Sequence, residues 1–358
     1  MTSSAAYWVK RAESNMDFIQ AAADERLRMI GRVMNNAQAQ LAKDAQRIFD
    51  RFKSRFELTE AEARAALYEP LRASEVEILK SKVATMQPGL ERLLIETKLN
   101  AGAYAARISR LEALQQNIAI ETAKVYRYLE DELTGQLKFT AVEGYGRTTY
   151  DLQLRADNAF AVPDIRGVKI ALDSPWAGTN YSANIWGKRA TLAKDLEELI
   201  TSGYLGGESN AQVARRIAEK LGVSFRDAER LVRTETSFIA GQSAKKAYED
   251  AGIETYRYKT AWDDRTCKFC APLDGVLNPE GQPYKVSEIQ VGYNYPPIHP
   301  NCRCTTAAAN VVEIPEYKTR RGLDGKPVKI PGNMYYEEWT KWQEDGAPID
   351  ITAWRKAA

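Results

Sequence analysis

"ETYRYKTAWDDRTCKFC", residues 254–270, is where the chain changes period. The stretch before it, "AERLVRTETSFIAGQSAKKAYEDAG", has helical spacing and stops at Gly252, as a helix C-terminus does. From Glu254 onward Tyr256, Tyr258, Thr260 and Trp262 alternate with polar or small residues, the pattern of a half-buried strand. "DDRTCKFC" and "PLDGV" are turn-like, "VGYNYPPIHPN" is a proline-rich loop, and "CRCTTAAANVV" returns as a strand. The reading is a small β-rich unit that follows a helical block, in a chain that is otherwise mainly α.

That unit gathers all four cysteines, Cys267, Cys270, Cys302 and Cys304, and the one histidine, His299, of a 358-residue chain. Zinc prefers four thiolate or imidazole ligands in a tetrahedron, and Cys-x-x-Cys is a half-site because its turn aims both thiols at one ion. Cys267 and Cys270 supply that half, and His299, Cys302 and Cys304 offer three candidates for the other. Strand alternation points Cys302 and Cys304 to one face. His299 is either the fourth ligand or a group that orients one. One or two disulfides, or four buried free thiols, fit the same clustering. A redox Cys-x-x-Cys lacks its βαβ context. A closed structural zinc site fits better than a catalytic one, which keeps an open position and usually more histidines. A Ser/His/Asp or Cys/His nucleophile would compete for His299, and no phosphate-cradling glycine motif is present, so no enzyme is read here.

With 44% hydrophobic and 27% charged residues the chain has the makings of a sizeable core. A net charge of +2 is too balanced to imply nucleic acid or an anionic membrane by itself. There is no apolar run of membrane-spanning length, and "MTSSAAYWVKRAESNMDF" lacks a signal-peptide core. The expectation is no membrane anchor and synthesis in a cytosol that keeps thiols reduced.

Residues 1–140 are rich in helix formers and are expected as a helical bundle or extended helical arm. Pro70 and Pro88 mark breaks, while Thr59–Glu62 and Ser74–Glu77 fit capping boxes that start helices. Leu111, Leu114, Ile118, Val125 and Tyr128 fall on one helical stripe, with Glu121 on its seam. Residues 141–186 form a connecting region with one short strand near Val168–Leu172. A helix carrying Leu192, Leu196, Leu199 and Ile200 then stops at Gly206-Gly207. Ser209 to Gln212 caps the next, which bears Val213, Ile217 and Leu221 and ends at Gly222; a third opens at Ser224–Asp227. The last segment, 311–358, is basic through Lys318, Arg320, Arg321, Lys326 and Lys329, then aromatic through Trp339, Trp342 and Trp354. Indoles are unfavourable in water, so these either pack back on the body or dock on a partner.

"RTETSFIAGQSAKKAYEDAGI", "WDDRTCKFCAPLDGV" and "PPIHPNCRCT", in this order, resemble the phage Mu F-like minor head proteins of the tailed-phage head morphogenesis family. The resemblance covers roughly residues 185–306, and 187–310 is expected as one domain. It implies that Arg233, Thr234 and Glu235 are the family's helix motif, Asp264 and Arg265 lock the turn before Cys267, and Asp274-Gly275 form a further turn. It also implies a protein present in few copies in the virion, in the head interior near the portal, after assembly in the host cytoplasm. Its partners would be the portal protein and the major capsid or scaffold protein, and some relatives bind DNA. The tail is too short for the fused toxin or transferase domain that some relatives carry. The leading expectation is a minor capsid protein that supports head assembly or DNA delivery, with Trp339, Trp342 and Trp354 as partner anchors. The runner-up is an accessory protein that binds dsDNA through the basic stretch and is packaged and ejected with the genome. A zinc hydrolase is the least favoured reading.

Overall fold

The computed structural model describes residues 4–53, 60–101, 108–153, 181–206, 208–261, 268–274, 283–309, 317–321, 327–331, 334, 336–346, 351 and 354–355. Among these residues seven helices come first: α1 (Ser4–Lys53), α2 (Glu60–Leu67), α3 (Ala73–Val83), α4 (Leu90–Asn100), α5 (Arg110–Gln153), α6 (Tyr181–Leu205) and α7 (Asn210–Asp250). Strands β1 (Thr255–Lys259), β2 (Tyr284–Lys285) and β3 (Thr305–Ala308) follow, then β4 (Tyr317–Arg321), β5 (Pro327–Pro331) and α8 (Tyr336–Glu344). The chain is therefore mainly α with a small antiparallel sheet toward its C-terminus. Among the described residues no helix is long and apolar enough to cross a membrane.

Two compact units can be distinguished. One holds residues 1–23, 136–174 and 233–358, the other 24–135 and 175–232. The units interleave in sequence instead of following the expected consecutive segments 1–140, 141–186, 187–310 and 311–358, because α1, α5 and α7 each contribute to both. The connecting region expected from 141 is helical as far as Gln153, and helix resumes at Tyr181. The strand expected near Val168–Leu172 lies outside the described residues, as does Thr59.

The helical block differs from expectation at one glycine. Gly222 does not end a helix; α7 runs unbroken from Asn210 to Asp250. A glycine inside a helix costs about 1 kcal/mol relative to alanine. The buried stripe Val213, Ile217, Leu221, Ala228, Val232, Ile239 continues in phase through it, and burial of several aliphatics outweighs one propensity penalty. The expected start of α7 is observed: Ser209 N donates to Gln212 Oε1 at 2.8 Å and Gln212 N to Ser209 Oγ at 3.3 Å. The cap expected at Ser74 sits two residues earlier. Arg72 is the N-cap of α3, and its N–H donates to Glu75 Oε2 at 2.8 Å. On α5 the expected stripe is present, with Leu114, Ile118 and Val125 buried and Glu121 only 5% exposed, its carboxylate 3.2 Å from Lys124 Nζ.

In the sheet the order is β2-β1-β3, with Tyr256 opposite Tyr284 and Ala308, and Tyr258 opposite Thr306. Aliphatic residues are scarce here, and tyrosines fill the core instead. Tyr145, Tyr248, Tyr256 and Tyr295 pack with Leu152, Val286 and Ala308. A buried phenol needs a partner for its hydroxyl. Tyr248 donates to Thr306 O at 3.0 Å, Tyr256 to Asn294 O at 3.0 Å, Tyr295 to Gly241 O at 2.8 Å and Tyr145 to Asp250 Oδ2 at 2.8 Å. Each ring thus contributes area and fixes a register or a loop.

The basic tail segment pairs as an antiparallel hairpin, Tyr317 opposite Pro331 through Arg321 opposite Pro327. Trp342 on α8 is fully buried with Ile330, Met334 and Ile351, and Trp354 packs against that cluster while its Nε1 donates to Asp345 Oδ2 at 2.9 Å. Trp342 is accordingly a core residue of the tail and not an exposed anchor for a partner. The side chains of Trp339, Lys318, Arg320 and Arg321, and the whole of Lys326, lie outside the described residues. Lys329 is exposed.

Candidate metal centre

Three of the five expected ligands meet at one point. Cys270 Sγ lies 3.9 Å from Cys302 Sγ and 3.2 Å from His299 Nε2, and the three ligand atoms all fall within 4.8 Å of one another. Two thiolates at about 2.3 Å from a tetrahedral zinc stand ~3.8 Å apart, so this sulfur spacing fits a shared ion, whereas a disulfide needs ~2.05 Å. His299 Nδ1 is 2.7 Å from Pro300 O. A proton held there leaves Nε2 with its lone pair toward the thiols, the orientation a metal ligand requires. Cys304 is 4% exposed and packs in the same cluster with Tyr258, Cys270 and Cys302, but it stands outside the three-atom group. Cys267 lies outside the described residues.

The electrostatics fit a cation. Tyr258 places its hydroxyl 3.6 Å from Cys270 Sγ and 3.9 Å from Cys302 Sγ. Hydrogen bonds from Cys270 and Cys304, aided by backbone donors, hold the Cys302 thiol well below the ordinary thiol range. The Cys270 thiol is pushed up by its interactions with Cys302 and Cys304 and by burial. Thiols this close together in a dry pocket cannot all ionise without a positive charge between them.

Neighbouring elements fix each ligand. The end of β1 holds the Cys270 turn, where Thr260 Oγ1 donates to Cys270 O at 2.7 Å and Thr260 N to Asp274 Oδ1 at 2.8 Å. Lys259 Nζ lies 3.1 Å from the same carboxylate. Asp274, one of the expected motif residues, thus ties the turn to the strand. Helix α7 holds the other half. Thr234 Oγ1 accepts from Asn301 N at 2.9 Å, and Ser237 Oγ donates to Cys302 O while accepting from Gln20 Nε2 at 3.1 Å. Asn301 takes a positive φ of 64°, which asparagine tolerates, so the chain can turn sharply between His299 and Cys302. Of the helix motif, Thr234 contacts the ligand loop directly and Glu235 is buried, while Arg233 is half-buried. Asp264, Arg265 and Gly275 lie outside the described residues.

The sequence reading gave Thr260 only as a strand position and passed over Ser237 and Gly241 on α7. The signal for Ser237 and Gly241 was a small-residue stripe, Thr234, Ser237 and Gly241, at spacings of three and four on one face of α7. A Cβ at Gly241 would stand 2.9 Å from Pro296 O and 3.1 Å from Tyr295 Cε1. Gly241→Ala gains about 1 kcal/mol of helix propensity but forces a backbone carbonyl outward, an overpacking cost of ~1–3 kcal/mol. The expected result is a net loss of about 1 kcal/mol, read as a lower Tm of the sheet-bearing unit; an unchanged or raised Tm would show that the loop can yield.

Residues 194–307 match the family model described as Phage Mu protein F like protein. The segment runs from α6 to the end of β3, so it contains the ligands, the α7 stripe and the sheet. NAD(+)–arginine ADP-ribosyltransferase EFV of Enterococcus faecalis (strain ATCC 700802 / V583) is 24% identical over 283 residues, covering 76% of this chain and 56% of that protein. Minor head protein GP7 of Bacillus phage SPP1 is 26% identical over 244 residues, covering 64% of this chain and 77% of that protein. The chain thus spans little more than half the length of the first relative. No solved structure matches.

Proposed function

Because residues 194–307 are a Mu F-like segment, we propose that this chain is a minor head protein of a tailed phage, a part of the virion that works in head assembly. The observation that carries the reading is that similarity to a minor head protein extends over 64% of the chain, well beyond the matched segment. The partners proposed are the portal protein and the major capsid or scaffold protein, with the chain placed in the head interior near the portal, where it would also support DNA delivery. The Cys–His cluster is read as a structural zinc clamp formed by Cys270, His299 and Cys302, with Cys304 or Cys267 as the fourth ligand. Its ligand atoms lie among buried thiols and a buried tyrosine, which suits a closed site more than an open catalytic one. Clamped to α7, the unit presents a stable knob on a helical support. Transferase activity is a property named for the Enterococcus relative, and the reading for this chain is non-enzymatic.

The test is mass spectrometry of heads purified from cells infected with the phage that encodes the chain, together with pull-down of the tagged chain. The chain is expected in the particles at low copy and the portal protein in the pull-down. Its absence from heads would sink the assembly role; presence in heads without recovery of portal would sink only the portal assignment.

A further inference from the structure

A chain of buried polar groups reaches the metal centre from α1, a helix that carries none of its ligands. Gln20 on α1 is 7% exposed, and Ser237 on α7 is fully buried in the same compact unit. Gln20 Nε2 donates to Ser237 Oγ at 3.1 Å, and Ser237 Oγ donates to the carbonyl oxygen of Cys302. A serine hydroxyl has one proton and two lone pairs. Inside a helix that proton commonly turns back to the carbonyl of the preceding turn, as Ser243 does to Ile239 O at 2.8 Å. At Ser237 the amide of Gln20 occupies a lone pair instead, and the hydroxyl proton is left aimed at Cys302 O.

Gln20 itself is satisfied on one side only. Its Nε2 also faces Met16 Sδ at 3.8 Å, whereas its Oε1 is buried with no hydrogen-bond partner among the described residues. A buried acceptor left unpaired is unfavourable, and a methionine of similar length would fill the same place without one. The amide is therefore of use here as a donor and not as filler. We infer that Gln20 is a positioning residue for the metal centre: it sets the Ser237 hydroxyl on the Cys302 carbonyl and so fixes the backbone of that ligand. The inference rests on the reading of Cys270, His299 and Cys302 as a zinc clamp. Groups that orient a ligand without touching the metal raise affinity by holding the ligand where the ion needs it. A helix that contributes no ligand thereby helps to set the affinity of the site.

The zinc Kd of the full chain, measured by competition with a chromophoric chelator, tests this. Gln20→Met removes the donor at similar volume and should raise the Kd about tenfold. Ser237→Ala should do the same, and the double variant should be no worse than Ser237→Ala alone, because both break one chain. Ile19→Val supplies the control. Ile19 is buried beside Met16 and Ala240 on the same turn of α1, so its truncation should lower the Tm and leave the Kd unchanged. A Gln20→Met protein that keeps the wild-type Kd would overturn the proposal, as would additive effects of the two substitutions. A second readout needs no metal. Amide exchange across residues 299–304 should quicken several-fold in Gln20→Met while exchange in α5 stays the same. A wild-type chain that binds no zinc would defeat the clamp reading, and the exchange data would then decide by themselves whether Gln20 places the Cys302 backbone. Exchange indifferent to Gln20→Met would show that it does not.

Discussion

Stripping metal from the reduced, purified protein with a chelator is expected to unfold the sheet-bearing segment, residues 255–309, while most of the helical signal survives. The expectation rests on where the ligands stand. Cys270 follows β1, and His299 and Cys302 precede β3, so one ion would tie together the two ends of a long excursion between those strands. Among its described residues that excursion holds the two-residue strand β2 and two single turns of 3-10 helix, Ala271–Leu273 and Val286–Glu288. Structural zinc in small zinc-finger peptides binds with an apparent ~10–16 kcal/mol, much of which is folding free energy. The tyrosine core around Tyr248, Tyr256 and Tyr295 supplies part of the stability here, so the loss should be smaller, on the order of the few kcal/mol that separate a folded from an unfolded module. About one zinc per chain is expected by elemental analysis. Cys270→Ser and Cys302→Ser should each abolish it and lower the Tm of this segment. Cys304→Ser separates the two candidates for the fourth ligand: retained zinc points to Cys267. Metal retention should fall as pH falls, because every ligand must shed its proton to bind. Protein without metal, with all thiols titratable and melting indifferent to chelator, would remove the clamp and leave the assembly role standing.

Much of this centre is legible in the sequence, because its chemistry sits in rare residue types. Four cysteines and one histidine in one segment need no structure to be noticed, and period-two alternation from Tyr256 to Thr260 marks the strand that leads into them. What could not be read is how the centre is held. Thr234 and Ser237 look like ordinary helix-face residues until the loop bearing Asn301 and Cys302 is laid on them, and that contact spans more than sixty positions in sequence. The glycine at 222 misleads for the opposite reason. Local propensity marks a stop, but the buried stripe on either side stays in phase, and tertiary burial outweighs one residue's preference. The tail hairpin was hidden by its composition. Proline at both ends of β5 and charges along β4 discourage a strand reading, yet Ile330 is fully buried against Trp342. A two-stranded ribbon of this kind is marginal alone and depends on such packing.

The same tail supplies the second large expected effect. Arg11→Met should destabilise the unit containing residues 1–23, 136–174 and 233–358 by ~3–5 kcal/mol, the cost of removing one partner from a buried ion pair. Arg11 is 1% exposed. Its Nε donates to Asp151 Oδ1 at 2.7 Å, its Nη1 to Tyr7 Oη at 2.8 Å and its Nη2 to Met334 O at 3.1 Å. The guanidinium also lies over the rings of Trp8 and Tyr150, 5.9 and 5.8 Å from their centroids. Without it, Asp151 loses its ion pair while the bond from Asn15 Nδ2 at 2.9 Å remains, and Met334 O keeps the Tyr150 hydroxyl at 3.1 Å. The loss therefore comes from a part-buried carboxylate deprived of its counter-charge and not from the worth of the pair itself. Replacing both charges, Arg11→Met with Asp151→Leu, should recover most of the deficit, and the coupling energy of the double-mutant cycle should be positive and above ~1 kcal/mol. Because Met334 joins the hairpin β4–β5 to α8, the single variant should also release the tail: trypsin cleavage beyond residue 310 should quicken while the helical core stays protected. Urea denaturation and a proteolysis time course read the two effects separately. A loss below ~1 kcal/mol, with no change in tail cleavage, would mean that the tail is held by the Trp342 cluster alone and that the buried arginine is dispensable.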